Sequence, residues 1–151
     1  MNKITPFLWF DTQAEEAMNH YVSIFKDSKI QNVTRGPDGR AMAVQFQLEG
    51  QDFMAYNAGP EFKFTEAISL YVNCETQEEV DELWKKLSAG GEESQCGWLK
   101  DKFGLSWQII PNALPRLLGD PDPVKAQRVM QAMLKMKKIE VAGLQQAYEQ
   151  Q

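Results

Sequence analysis

One histidine, His20, and two cysteines supply all the imidazole and thiol chemistry in these 151 residues. The cysteines, Cys74 and Cys96, form no CxxC pair. A zinc centre of thiolates and imidazoles needs three or four such ligands, so the composition argues against one. Cys96 could be a nucleophile only beside a base or a helix N-terminus. His20 is far from it in sequence, between Ala17 and Tyr21 on a helical pattern. Cys96 therefore reads first as inert packing, and His20 as a partly exposed helix residue. Gln108 is a neutral amide that could orient a ligand carbonyl or hydroxyl, or equally satisfy a strand edge. Tyr56 and Tyr71 offer phenolic donors, though a packed ring with a satisfied hydroxyl is the default. Trp107 has strand parity opposite to Gln108 and reads as core, whereas Trp98 could reach a binding surface.

The elements that must position these residues come in two similar runs. Residues 4–10 are short and apolar, with Phe7, Trp9 and Phe10, and read as a strand. Thr12 and Glu15 have capping-box spacing, ahead of Ala14, Ala17, Met18, Tyr21 and Phe25 at helical period. Strands are predicted over 29–35, 41–49 and 52–57, separated by Gly36-Pro37-Asp38-Gly39 and by Gly50-Gln51. After a loop over 58–65 the pattern restarts. A strand over 67–72 precedes a second capping box, Thr76 to Glu79. The stripe Val80, Leu83, Trp84 and Leu87 follows and ends at Gly90-Gly91. Short strands are expected over 91–95, 97–100 and 106–110. Asp11-Thr12-Gln13 and Glu75-Thr76-Gln77 recur at an offset of 64 residues, which points to a duplicated module. The tail offers Asp122 as an N-cap and Pro123 at the first helical position. Ala126, Val129, Met130, Met133 and Leu134 then form a stripe, and a short helix carries Val141, Leu144 and Tyr148. This tail could pack on its own domain or across a dimer.

The expected architecture is α+β. Paired βαβββ modules occupy 1–111 (about 1–60 and 61–111), and a helical tail over 112–151 belongs to the same domain. The net charge of −5 disfavours nucleic acid, because phosphate binding needs surplus Lys and Arg. The basic cluster Lys135, Lys137 and Lys138 reads as a solvated helix face. No apolar run approaches the length of a membrane span, and the N-terminus lacks a leader pattern. A cytoplasmic protein with reduced thiols is expected.

Several segments together resemble a known family. They are Thr5-Pro6-Phe7-Leu8-Trp9-Phe10, the 14–21 helix, Ile68-Ser69-Leu70-Tyr71-Val72, Cys96-Gly97-Trp98-Leu99-Lys100-Asp101 and Phe103-Gly104-Leu105-Ser106-Trp107-Gln108-Ile109. They look like the PhnB-like branch of the vicinal-oxygen-chelate superfamily, which includes glyoxalases, bleomycin-resistance proteins and dioxygenases. The tail, with Ala126-Gln127-Arg128-Val129-Met130 and Lys137-Lys138-Ile139, is similar to a subgroup described as demethylubiquinone 3-methyltransferase.

The resemblance implies two βαβββ modules whose curved mixed sheets surround a cleft. In metal-dependent relatives four strand side chains hold a divalent ion, which acts as a Lewis acid on adjacent oxygens. The equivalent positions here are Thr5, Phe53, Ala67 and Gln108, which are weak or non-ligating. Strand alternation around them proposes a ligand pocket of Phe7, Trp9, Gln45, Phe53, Asn57, Ser69, Tyr71, Trp98 and Gln108. The same alternation would turn Asp52 and Glu66 away. Methyl donors usually sit on a glycine-rich turn after a parallel strand, and no glycine here holds that position. The resulting expectation is a homodimeric, metal-independent small-molecule-binding protein without a cofactor. The alternative is an enzyme of the same superfamily, either a metal-dependent lyase or dioxygenase or the methyltransferase of the subgroup name.

Overall fold

The computed structural model describes residues 2–150. Met1 and Gln151, the outer ends of the expected first module and of the tail, lie outside them. The chain forms two compact units, Met1–Phe64 and Thr65–Gln151.

The first unit runs β1 (Phe7–Phe10), α1 (Ala14–Ile24), β2 (Lys29–Arg35), β3 (Ala41–Leu48) and β4 (Gln51–Asn57). Its sheet order is β1-β4-β3-β2, with β1 parallel to β4 and the other neighbours antiparallel. Alternation drives the packing: Val44, Phe46 and Leu48 turn to one face, where α1 buries Ala14, Ala17, Met18 and Tyr21. Phe46 stacks on Phe53 with centroids 5.4 Å apart, and Tyr21 lies 6.4 Å from Phe46. Alternation along 41–49 would put Met42 with Val44, Phe46 and Leu48, but a register shift between Thr34 and Arg35 leaves Ala41 buried and Met42 exposed.

The capping box expected at Thr12 does not form. The helix begins after Gln13, and no local side chain caps it. Instead Asn57, at the end of β4, accepts from the Ala14 amide at 2.8 Å and donates to the Ala41 carbonyl at 2.9 Å. This dual bond explains why Asn57 points to the helix side and not to a pocket. Asn57→Ala removes a helix cap and a sheet contact together, so a loss of about 2 kcal/mol is expected in urea unfolding. A change under a few tenths of a kcal/mol would contradict that role.

The second unit repeats the order with β5 (Leu70–Cys74), α2 (Gln77–Ser88), β6 (Glu92–Glu93), β7 (Trp98–Lys100) and β8 (Ser106–Pro111). Its sheet reads β5-β8-β7-β6, again with the first strand parallel to the last. Here the cap is local: Thr76 accepts from the Glu79 amide at 3.1 Å, and Glu79 accepts from the Glu75 amide at 3.1 Å. The stripe Val80, Leu83, Trp84 and Leu87 is buried on this helix, and Leu99, Trp107 and Ile109 are buried on the sheet. The strand expected over 67–72 begins later, at Leu70. Ala67 lies in a turn whose amide is held by the Thr65 hydroxyl at 3.2 Å.

The tail adds α3 (Ala113–Leu118), which the sequence pattern did not reveal, then α4 (Pro123–Met133) and α5 (Val141–Glu149). Asp122 caps α4 through the amides of Val124 and Lys125, with Pro123 in the first turn. The apolar stripe packs within its own unit: Val129, Ile139 and Leu144 join Ile110, Leu114 and Leu117, with Met133 against them. Gln77 of α2 ties the tail down. Its amide donates to the Ile139 carbonyl at 3.0 Å and accepts from the Val141 amide at 2.7 Å, serving as the cap that α5 lacks. Lys138, from the basic cluster, pairs with Asp81 at 2.8 Å.

Candidate functional site

Each sheet has one face under its module's helix and an opposite, open face, which in the second unit is open at Tyr71, Gln108 and Trp98 but covered by the tail at Ile110. In the first unit, register places Phe7, Met54, Gln45 and Asn32 in one row across the open face, and Trp9, Tyr56, Ala43 and Thr34 in the next. Phe7 and Tyr56 are 52% and 40% exposed, and their rings lie 4.7 Å apart. Trp9 donates to the Gly59 carbonyl at 2.9 Å and meets Phe62 edge-on at 4.9 Å. A third row holds Gln47 and Asp52. Asp52 is buried and accepts from the Asn2 amide at 2.6 Å and from Gln47 and Gln31 at 3.0 and 3.2 Å. The Asn2 bond above all, with the two glutamine bonds, holds its carboxyl below the ordinary range.

In the second unit, Tyr71, Gln108 and Trp98 form one row across the open face. Gln108 donates to the Ser69 hydroxyl at 3.0 Å. The adjacent row pairs Ser106 with Lys100 and then Glu92. Lys100 also bonds Glu66. Trp107 lies on the helix side as expected, its indole donating to Asp101 at 2.9 Å.

Two pocket candidates are thereby corrected. Phe53 and Asn57 face α1, and the side chains that β4 presents on the open face are Asp52, Met54 and Tyr56. The cause is the pairing with β3. Glu49 and Gly50 both have positive φ, 49° and 83°, so they form the two-residue connection and Leu48 pairs with Gln51. That register sets Phe53 opposite Phe46, on the helix face. A two-residue turn at Gly50-Gln51 would shift the pairing by two residues and set Phe53 opposite Leu48, so Phe53 faces the helix in either register. Asp52 therefore lies on the open face, contrary to the alternation argument. The signal was available: either two-residue turn pairs Phe53 and Ala55 with the inward set Val44, Phe46 and Leu48.

The four positions equivalent to metal ligands do not suit a divalent ion. Thr5 precedes β1 and bonds the Asn2 carbonyl at 3.3 Å. Phe53 faces the helix, Ala67 carries no side-chain ligand atom, and Gln108, whose amide nitrogen donates to Ser69, offers only a neutral oxygen. Among the described residues no group of three or more His, Cys, Asp or Glu side chains could hold a metal. Hard and borderline cations need such oxygen, nitrogen or thiolate donors in convergence. Both cysteines are free thiols. Cys74 is fully buried, and burial, with Glu79 adding to it, pushes its thiol up to about 12, so it is inert as a nucleophile. A shallow groove of about 530 Å³ lies along α5, lined by Ala142, Gln145, Gln146, Glu149 and Gln150. With one helix supplying its whole lining and no aromatic platform, it has the form of a surface furrow. Among the described residues no helix is long and apolar enough to cross a membrane.

Two four-stranded mixed sheets of identical order, each with its own helix, define a duplicated α+β protein of the glyoxalase fold. Residues 2–110 match the family model described as 3-demethylubiquinone-9 3-methyltransferase, and the chain belongs to this PhnB-like family. A Bacillus cereus protein described as a putative 3-demethylubiquinone-9 3-methyltransferase, PhnB protein, is 40% identical with a TM-score of 0.70. That match covers 73% of this chain and 99% of the other. Protein PA1353 of Pseudomonas aeruginosa shares the fold at 17% identity and a TM-score of 0.63, covering 74% of this chain and 98% of its own. So does the fosfomycin resistance protein FosX of Listeria monocytogenes, determined with Mn(II) and sulfate, at 14% identity and a TM-score of 0.54. There the match covers 70% of this chain and 88% of FosX. No curated protein matches the chain.

Proposed function

We propose that the protein binds a flat small molecule by stacking and hydrogen bonding on its open sheet faces, without a metal ion. The observation that carries this reading is the row Tyr71–Gln108–Trp98, an amide flanked by two aromatic side chains with Tyr71 53% exposed. Phe7, Trp9 and Tyr56 give the first unit a second aromatic platform beside Gln45. Apolar surface with a few placed polar groups is what small-molecule sites are made of. Exposed aromatic clusters are seldom left without a partner.

Methyl transfer, named in the family description, finds no support in the strand–helix turns. Those after the two parallel strands read Asp11-Thr12-Gln13 and Glu75-Thr76-Gln77, so each helix N-terminus meets acidic side chains and no glycine. With no glycine there, the turns lack the close backbone approach that a glycine-rich cofactor turn provides. Homodimer formation and a cytoplasmic location complete the proposal; the unpaired thiols accord with a reducing compartment.

The test is a nuclear magnetic resonance screen of planar aromatic compounds on chelator-treated protein. Hits should shift the resonances of Trp98, Gln108 and Tyr71 or of Phe7 and Tyr56, and Tyr71→Ala should weaken second-unit binders roughly tenfold. Hits that map only to α5, or binding that returns only with added divalent metal, would refute it.

A further inference from the structure

Beside the aromatic row of the second unit lies a polar row that the proposed stacking does not use. Lys100 and Ser106 are direct cross-strand partners. Leu70 pairs with Trp107, so extending the parallel register by one residue brings Ser69 alongside Ser106. Ser106 is only 1% exposed, and among the described residues its hydroxyl has no hydrogen-bond partner. Native proteins rarely leave a buried hydroxyl unmet, and one facing a binding row calls for a ligand atom. Ser69 accepts from Gln108 and so keeps its own proton to donate. A cation and two hydroxyls thus line the edge of an aromatic row.

The charges narrow the occupant. Lys100 is paired with Glu66, whose side chain is 61% exposed on the turn before β5, and Glu92 lies opposite Lys100 on β6. Such an exposed pair is easily exchanged. An incoming anion can displace Glu66, but a second negative charge would meet Glu92. The flat neighbours Tyr71 and Trp98 favour a conjugated body.

We propose that this row is an oxyanion subsite in which Lys100, Ser106 and Ser69 receive the carboxylate of a small conjugated monoacid, with Glu66 as the displaceable counter-ion. The inference rests on the small-molecule reading above and adds the end group and its charge. Its probes are 2-naphthoate and the neutral 2-naphthamide, titrated against the full chain by nuclear magnetic resonance. Naphthoate should bind about tenfold more tightly, as expected for a charge-assisted contact. Lys100→Met should abolish that preference and leave naphthamide unchanged. Glu66→Gln should strengthen naphthoate by up to about fivefold, the worth of an exposed ion pair. Ser106→Ala should weaken naphthoate while the thermal midpoint holds or rises, because an unmet hydroxyl has been removed. Equal affinity for the two probes, or a naphthoate affinity indifferent to Lys100→Met, overturns the subsite and leaves the stacking reading intact. If neither probe perturbs the open faces, the stacking reading falls and the subsite with it.

Discussion

Asp101→Ala is expected to melt roughly 10 °C below the parent protein. Asp101 is 2% exposed at the end of β7, and one carboxylate oxygen accepts from the amides of Phe103 and Leu105 at 2.9 and 3.1 Å. The other accepts from the Trp107 indole at 2.9 Å. The same residue's backbone closes the loop: its amide donates to the Leu105 carbonyl and its carbonyl accepts from Gly104. Alanine leaves three donors without that acceptor, two of them buried, at about 1–3 kcal/mol each. Partial relaxation brings the expected total to about 4 kcal/mol, measured as a shift in denaturant midpoint at constant slope. Asp101→Asn keeps one acceptor oxygen but turns an NH2 toward the loop amides or the indole, so its midpoint should fall between the two. An alanine variant within 1 kcal/mol of the parent would show that the loop does not depend on this carboxylate.

The second large effect concerns two adjacent glycines that standard reasoning would rank the other way. Gly90 has φ of +78°, the left-handed conformation in which a side chain is strained. A Cβ there meets only the flexible Lys102 side chain, at 3.3 Å. Gly91 is not in that region, yet a Cβ on it would stand 2.1 Å from the Lys100 carbonyl oxygen and 2.7 Å from the Asp101 carbonyl carbon. Those atoms are backbone, so relief requires the β6–β7 pairing, Glu92 with Lys100, to open. Gly91→Ala should therefore cost about 3 kcal/mol, the upper range for overpacking, and Gly90→Ala about 1 kcal/mol. Calorimetry of the two variants decides the order. If Gly90→Ala proves the worse, φ strain outweighs the steric contact.

The contrast between these glycines reflects what a linear pattern can and cannot convey. Gly90-Gly91 marks the end of α2 legibly, because a helix stop is a local event. That Gly91 lies against β7 depends on how the chain returns ten residues later. The same division runs through the fold. Strands β2 and β3, helix α2 with its Thr76 cap, and the Asp122-Pro123 start of α4 were legible, since each is decided by neighbours within one turn or one pleat. Strand β4 was not, because Asp52-Phe53-Met54-Ala55-Tyr56-Asn57 is apolar on both parities over its middle. Only the pairing with β3, whose alternation is clear, reveals which side chains face outward. The candidate site inherited that ambiguity. Its strand assignments for Phe7, Trp9, Gln45, Tyr71, Trp98 and Gln108 match the open faces, while Phe53 and Asn57 do not. Lys100 and Ser106 were missed, although both lie within the segments that carry the family resemblance, because a cross-strand pair six residues apart is invisible without the hairpin between them. Helix α3 escaped notice for a simpler reason: six residues containing Pro115 have too short a period to register.

The two helices of this duplicated chain also differ in where their first turn is secured. Helix α2 carries its own fastening, Thr76, one residue ahead of its start. Helix α1 relies on Asn57, which lies 43 residues downstream of Ala14. During synthesis the first half must wait until its last strand has left the ribosome before that helix can be locked. The second half can close its helix as soon as residues 76–79 are free. Modules with the same blueprint thus differ in the delay between making a helix and capping it, 43 residues in the first half and within the helix's own first turn in the second.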